Sequence, residues 1–143
     1  MNIPDLRQKA AAGSTVAQSV LGICYLEGID VQVDYEEAFR LLSAASRKGA
    51  SRATANLARM YAEGLGVPKN VSEAVRLYEA AAKAGEFLAQ IELGRMYSRG
   101  TDFVPDPVVA RRWYSAAVAQ ADSVGDCEEE LREARAYLSS NSE

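Results

Sequence analysis

The residue types that most often perform catalysis are scarce in this chain. Its 143 residues include no histidine and two cysteines, Cys24 and Cys127. Without histidine, neither Ser-His-Asp nor Cys-His catalysis nor a histidine-liganded metal site can form. The cysteines lie far apart and make no CxxC pair, so neither a zinc ribbon nor a thioredoxin-like redox site is expected. The sequence therefore predicts no catalytic residue, no metal site and no cofactor.

Other local patterns that could do chemistry have simpler explanations. The stretch Gly64-Leu65-Gly66 is not a nucleotide loop, because no strand pattern precedes it and no Walker-type lysine follows it. The acidic run 128–130 is typical of a helix start, where the helix dipole favours negative charge. We expect Cys24 to be a small buried apolar residue, because a reactive thiol needs exposure and a lowered pKa.

The charge of the chain is uneven. Residues 1–121 hold 14 basic and 13 acidic residues, a net of +1, whereas residues 122–143 hold 2 basic and 7 acidic ones, a net of −5. A nearly neutral body lacks the basic patch typical of nucleic-acid binding. The apolar runs are too short to span a membrane, and residues 1–13 lack the apolar stretch of a secretory signal. We therefore expect a cytoplasmic protein with no membrane span and no nucleic-acid partner.

The chain repeats itself with a period of 36 residues. Agreement at many positions without slippage establishes an internal repeat, which is typical of stacked helical architectures. The recurring residues are Leu21, Leu57 and Leu93; Tyr25, Tyr61 and Tyr97; Gly28, Gly64 and Gly100; Ala17, Ala53 and Ala89.

Each repeat consists of two helical halves. In the first half, Ala17, Leu21 and Tyr25 are four residues apart and share one face of a helix. In the second half, apolar residues recur at spacings of three and four. A small residue directly follows the repeated leucine and allows close approach of the partner helix. The small residues are Gly22, Ala58 and Gly94, and the large groups expected to fill the gaps between layers include Tyr25, Tyr61, Tyr97, Phe39, Leu77 and Trp113.

Residue types also mark the ends of the predicted helices. Glycines at the ends of both kinds of helix suit the left-handed conformation that closes a helix, and Pro107 suits a first helical position. Glu37 and Glu73 predict capping boxes, in which the glutamate returns to the backbone N–H of the cap residue. The predicted N-caps of the second helices are Asp34, Asn70 and Asp106.

The repeat pattern divides the chain into one domain with flanking helices. A polar capping helix is expected at each end, the second over roughly Asp126 to Ser139. The predicted segments are an N-terminal capping helix at 1–13, repeats at 14–49, 50–85 and 86–121, and an acidic C-terminal capping helix and tail at 122–143.

The pattern A-x-x-x-L-G-x-x-Y-x-x-G, followed by a short loop and A-x-x-x-x-x-A-A-x-x-G, resembles the Sel1-like repeat, a relative of the tetratricopeptide repeat. The second unit matches best, with Gly64 and Gly66 in its loop. Asp30 and Asp102 stand at the position of Gly66 in the other units, so we expect those two loops to adopt different turns. The resemblance implies an all-α fold, a right-handed α/α superhelix (solenoid) of three helix-pair repeats.

The resemblance also implies a binding function. Proteins of this family resemble adaptors and scaffolds, so the favoured function is a non-catalytic interaction module that binds a partner protein or peptide on a concave surface formed by the first helices. Alternatives are a stoichiometric inhibitor, such as a bacterial toxin-immunity protein, and a penicillin-binding or penicillin-hydrolysing enzyme. The last is disfavoured because this chain lacks the cysteine pairs of that branch.

A second stripe on each first helix could contact the partner. It mixes apolar residues with arginine, a combination enriched in interface hot spots. The alternative is that the apolar members belong to neighbouring core layers and that the arginines form local ion pairs. The predicted partner-binding residues are Ser19, Ile23, Arg52, Arg59, Leu88 and Arg95.

Overall fold

The structure is a computed structural model, which describes residues 2–100 and 104–140. These residues form helices and no strand, as the sequence predicts. In this order the helices are α1 (Ile3–Ala11), α2 (Thr15–Glu27), α3 (Tyr35–Arg47), α4 (Ser51–Glu63), α5 (Val71–Lys83), α6 (Phe87–Arg99), α7 (Pro107–Val118) and α8 (Glu128–Ser140). We call α2, α4 and α6 the first helices of the repeats and α3, α5 and α7 the second helices.

The chain divides into two compact units, Met1–Ala80 and Ala81–Glu143, and the boundary lies within α5. In the first unit, α1 packs on α2, α2 on α3 and α3 on α4. In the second unit, α6 packs on α7 and α7 on α8. Within each unit, these consecutive helices are therefore neighbours in space, as expected when helix pairs stack.

The first unit has a core built by α1, α2 and α3. The repeated Ala17 and Leu21 are buried in it, and Gly22 beside them brings α3 close, since a Cβ there would lie 2.7 Å from Leu42 Cγ. A side chain at this position would overlap the neighbouring helix. The core comprises Ile3, Ala10, Ala17, Leu21, Cys24 and Leu41.

The second unit has a core built by α6, α7 and α8. Gly94 repeats the role of Gly22, because a Cβ there would lie 2.7–2.9 Å from ring atoms of Tyr114. The predicted function of the small residue after the repeated leucine is thus seen in both units. The core comprises Phe87, Ile91, Tyr114, Ala117, Leu131 and Ala134.

The predicted N-caps are confirmed at all three second helices. The side chain of Asp34 accepts from the backbone N–H of Glu37, Asn70 accepts from Glu73, and Asp106 accepts from Val108 and Val109. The glycines that follow the first helices are left-handed as predicted, with φ of 72° at Gly28, 68° at Gly64 and 60° at Gly100.

The predicted capping boxes are wrong. Glu37 and Glu73 do not return to the cap residues; each binds an arginine three residues later, Arg40 and Arg76 respectively. An arginine one turn away offers a two-pronged, charge-assisted partner, which competes with the single backbone N–H.

The backbone N–H groups of the cap residues bind the repeated tyrosines instead. Asp34 donates to the carbonyl of Tyr25 at 3.0 Å, and the N–H groups of the other two caps donate to the carbonyls of Tyr61 and Tyr97 at 2.9 Å each. Each of these bonds closes the loop between a first and a second helix. The repeated tyrosine therefore has two roles. Its backbone carbonyl holds the loop, and its ring fills space.

Two expectations about individual side chains need revision. Trp113 was expected in the core, yet it is half-buried, and its neighbour Tyr114 is the buried residue, with 2% exposure. The loop with Asp30 was expected to allow a different turn, but Asp30 has a φ of 59°, close to the 72° of Gly66. Asp102 lies outside the described residues.

Candidate functional site

The predicted partner-binding residues of the first unit lie on α2 and α4. Ser19 and Ile23 on α2 are half-buried, so each offers part of its surface. Arg52, at the start of α4, is exposed, and its side chain makes no hydrogen bond or ion pair with any described residue. Arg59, two turns later, is held by carboxylates.

The arginine stripe of α4 ends in an ion-pair cluster. Arg59 pairs with Glu27 at the end of α2 and, through Nε, with Glu63 Oε2 on its own helix at 2.7 Å. The three side chains are between 39% and 53% exposed, so water screens the pairs and each contributes little to stability. Their structural effect is to hold the guanidinium of Arg59 in one orientation.

The predicted residues of the second unit lie on α6 and differ in accessibility. Leu88, at the start of the helix, is 39% exposed, which is high for a leucine. Arg95 lies two turns further on, and 26% of its side chain is exposed. Leu88 and Arg95 thus offer an apolar contact and a positioned charge on one helix.

Arg95 is bound by two glutamates. Its Nε donates to Glu133 Oε2 at 2.8 Å and its Nη2 donates to Glu133 Oε1 at 2.9 Å, which is the two-pronged geometry. Its Nη1 donates to Glu92 Oε1 at 2.6 Å. The hydroxyl of Tyr114 donates to Glu133 at 2.9 Å. The carboxylate of Glu133 therefore joins α8 to both α6 and α7.

The cluster shifts the proton affinities of its members. The hydrogen bonds from Arg95 hold the pKa of Glu133 below its ordinary value, and the hydroxyl of Tyr114 acts in the same direction. Burial raises the pKa of Tyr114 to about 12, and its bond to Glu133 adds to that effect. Glu133 is thus kept ionised and Tyr114 protonated near neutral pH, which suits a fixed structural contact.

The structure divides the stripe into surface and core. Three further residues of the stripe, Leu26, Ala55 and Ile91, are buried and belong to the core. The position at the start of each first helix is exposed in all three repeats. We call these equivalent repeat positions, two in the first unit and one in the second, the exposed row, and they are Val16, Arg52 and Leu88.

Within 2–100 and 104–140, no group of three or more cysteine, aspartate or glutamate side chains lies together in a way that could hold a metal ion. Cys24 is buried as predicted, and burial raises the pKa of its thiol. No helix in these ranges has the length and apolar character needed to cross a membrane.

Comparison with known proteins identifies the class to which these stacked helix pairs belong. The family model of the Sel1 repeat matches residues 15–49, 51–86 and 88–122. The chain therefore belongs to the Sel1 repeat family, and its fold is an all-α solenoid of Sel1-like repeats.

Two solved structures are similar over most of the chain. A Sel1 repeat protein from Oxalobacter formigenes is 37% identical, with a TM-score of 0.70 over 92% of this chain and 97% of the other. The protein c5321, described as a protective antigen of uropathogenic Escherichia coli strains with an SLR fold, is 38% identical, with a TM-score of 0.74 over 80% of this chain. This chain spans 25% of the length of c5321. No curated protein matches the chain.

Proposed function

We propose that the chain is an adaptor or scaffold module that binds a partner protein or peptide on the outward faces of its first helices. Sel1 repeat proteins generally mediate protein–protein interaction, and their fold is typically a non-catalytic scaffold. The observation that carries the choice of face is the exposed row. At this repeat position Val16 and Leu88 are exposed apolar residues and Arg52 is an exposed arginine without an ion pair to a described residue.

The physical basis of the proposed binding is rigid display. The buried leucines and small residues fix each first helix against its neighbour, so the exposed row needs little ordering when a partner binds. In the first unit Arg59 lies on the same helix as Arg52, and Glu27 and Glu63 orient its guanidinium. In the second unit Arg95 lies on the same helix as Leu88, and Glu92 and Glu133 orient its guanidinium. Apolar anchors beside positioned charges favour a partner segment with both apolar and charged side chains.

Affinity capture from cells that express the protein tests this proposal. The wild type is compared with an Arg52→Glu/Leu88→Glu variant as bait. The matched control, Arg47→Glu/Val108→Glu, makes the same change in net charge at exposed positions of α3 and α7. We expect the control to retain the partner and the exposed-row variant to lose it, with the helical CD spectrum unchanged in both. Equal capture by all three proteins would reject the proposed face.

The same capture distinguishes the proposed adaptor from a stoichiometric inhibitor. Inhibition of a captured toxin at a one-to-one ratio would identify the protein as an immunity protein. Retention of a partner without loss of that partner's activity would support the adaptor. A penicillin-type hydrolase is tested by nitrocefin turnover on the pure protein, and turnover above background would contradict the non-catalytic role.

A further inference from the structure

A hydrogen-bond network in the first unit holds the turn that leads into α2. Lys48, at the end of α3, donates through Nζ to the carbonyl of Gly13 at 2.8 Å and to Gln18 Oε1 at 3.1 Å. Gln18 donates in turn through Nε2 to the carbonyl of Ala10 at 3.2 Å. The network therefore ties the end of α3 to the turn between α1 and α2, and it places the ammonium of Lys48 at that turn.

The second unit makes the same network with an uncharged donor. Gln120 Nε2 donates to the carbonyl of Gly85 and to Gln90 Oε1, at 2.8 Å each. Gln90 Nε2 donates to the carbonyl of Ala82 at 3.1 Å. Gln120 stands two repeat periods after Lys48, so the two residues hold equivalent positions. Because glutamine makes these bonds without a charge, the positive charge of Lys48 is not needed to hold the turn.

The charges at this turn are not neutralised by the described part of the chain. The acceptors of Lys48 are a carbonyl and an amide oxygen, which carry no net charge. Arg52, four residues later, makes no ion pair with a described residue. Residues 38–62 contain five basic residues and no acidic one, and residues 10–26 contain no charged residue at all. The ammonium of Lys48 and the guanidinium of Arg52 are thus free to attract a carboxylate.

An exposed apolar side chain lies beside these charges. Val16, in the first turn of α2, is 74% exposed, and it follows Gly13, the acceptor of Lys48, by three residues. Arg52 holds the equivalent position on α4, and α4 packs against α2 within the first unit. A surface with two cations and one apolar residue is complementary to a segment that has carboxylates next to an apolar side chain.

We infer that the first-unit part of the exposed row binds an acidic segment of a partner protein. Aspartate or glutamate side chains of that segment pair with Lys48 and Arg52, and an apolar side chain beside them packs on Val16. This inference rests on the proposed function and names the chemistry of its partner. Lys48 contributes to binding by its charge, whereas its hydrogen bonds serve the fold.

A second copy of the chain fits this surface less well than a separate partner does. The most acidic stretch of the chain is the start of α8, at residues 128–130. The apolar residues of α8 nearest to it, Leu131 and Ala134, are buried in the core of the second unit. That helix therefore brings carboxylates without a free apolar side chain for Val16.

A designed peptide tests the inferred chemistry. The probe is a fluorescent peptide of roughly 12 residues, long enough to reach across the turn when extended, with one leucine between glutamates in a glycine–serine background. Affinity is measured by fluorescence anisotropy at low salt, where charge pairs are least screened, and the site is mapped by ¹⁵N chemical-shift changes. Comparison peptides replace the glutamates by lysine or the leucine by glycine.

The test variant, Lys48→Gln/Arg52→Gln, removes both charges and keeps a donor that can hold the turn, as Gln120 does in the second unit. Its thermal denaturation should therefore match that of the wild type, whereas Lys48→Ala should lower the melting temperature. The matched control, Lys83→Gln/Arg112→Gln, removes the same charge at exposed positions of α5 and α7.

We expect the wild type and the control to bind the glutamate peptide, with shift changes around residues 13–19 and 48–55. The test variant should bind it roughly tenfold more weakly. The lysine peptide should not bind, and replacement of the leucine should weaken binding. Equal affinity for all three proteins, shift changes elsewhere, tighter binding of a single-stranded oligonucleotide than of the peptide, or self-association that the test variant abolishes would overturn the inference.

Failure of this inference can be told apart from failure of the proposed function. A partner captured through the exposed row, together with equal peptide affinity for all three proteins, would reject only the acidic chemistry. Peptide binding that depends on Lys48 and Arg52, together with equal capture by every bait, would instead reject the proposed function.

Discussion

Close contact between helices depends on single small residues. Gly94 lies beneath the ring of Tyr114, whose hydroxyl reaches Glu133 on the next helix. The absence of a side chain at Gly94 thus leaves room for the ring of Tyr114, and the hydroxyl of Tyr114 positions the carboxylate of Glu133. Glycine lowers helix propensity by about 1 kcal/mol relative to alanine, so its presence inside α6 reflects packing rather than local preference.

A Gly94→Val substitution should destabilise the protein because the new side chain overlaps the ring of Tyr114. We expect a loss of about 1–3 kcal/mol in the free energy of unfolding, measured by urea denaturation. Gly125→Val is the matched control, since a Cβ there meets nothing within 4 Å. A loss at Gly125 as large as that at Gly94 would show that general glycine replacement, and not the helix contact, causes the effect.

The carboxylate of Glu133 should make stability depend on pH. Because its pKa is lowered in the folded state, its contribution is present above the ordinary glutamate pKa and is lost as the pH falls through the lowered value. A Glu133→Gln substitution should cost about 1 kcal/mol at pH 7, after allowance for solvent screening. The difference from wild type should shrink on acidification.

Chemical denaturation of both proteins at neutral and acid pH checks this expectation. Glu129→Gln is the control, because it removes the same charge from α8 at an exposed position. A difference between wild type and Glu133→Gln that stays constant with pH would show that ionisation of Glu133 is irrelevant to stability.

At the scale of the helices, the sequence predicted the ends well where a side chain forms the contact. Asp34, Asn70 and Asp106 cap their helices as expected because side-chain capping follows from residue type and position. The hydrogen bonds from the cap residues' backbone N–H groups to the tyrosine carbonyls were not predicted, because a backbone acceptor does not depend on residue type. The capping boxes failed because Arg40 and Arg76 compete for the same glutamates.

Other misses concern Trp113 and the helix that follows the repeats. Tyr114 is buried at the repeat position of Leu42 and Tyr78, whereas Trp113 is only half-buried although Leu41 and Leu77 at its own repeat position are buried. The contact between Arg95 and Glu133 was not predictable, because the exact repeat ends before α8 and nothing in the sequence sets the register of that helix. Arg95 was therefore predicted as a partner-binding residue, and the structure shows the alternative, a local ion pair.

Removing one N-cap should weaken one helix start. An Asp106→Ala substitution eliminates the acceptor for two backbone N–H groups of α7 and should lower the free energy of unfolding by about 1 kcal/mol. Asp106→Asn keeps an acceptor at the same place and should retain most of the stability. If thermal denaturation finds the two variants equally destabilised, the side-chain cap is not what starts α7.

At the scale of the whole molecule, the proposed function depends on surfaces that the repeat leaves variable. The repeated residues serve the packing of the helices. The exposed row, in contrast, has a different residue type in each repeat, namely Val16, Arg52 and Leu88. Sequence periodicity could therefore predict the fold and locate the helix faces. Periodicity could not show which residues on those faces are accessible. Leu26 and Ile91 look as accessible in the sequence as Leu88, but they are buried.

The most direct test is to map a captured partner onto the protein by ¹⁵N chemical-shift changes. If the first helices form the binding face, the largest changes should lie on α2, α4 and α6, around Val16, Arg52 and Leu88. The Arg52→Glu/Leu88→Glu variant should then show none of them at the same partner concentration. Changes confined to the second helices α3, α5 and α7, and unaffected by that variant, would contradict the account.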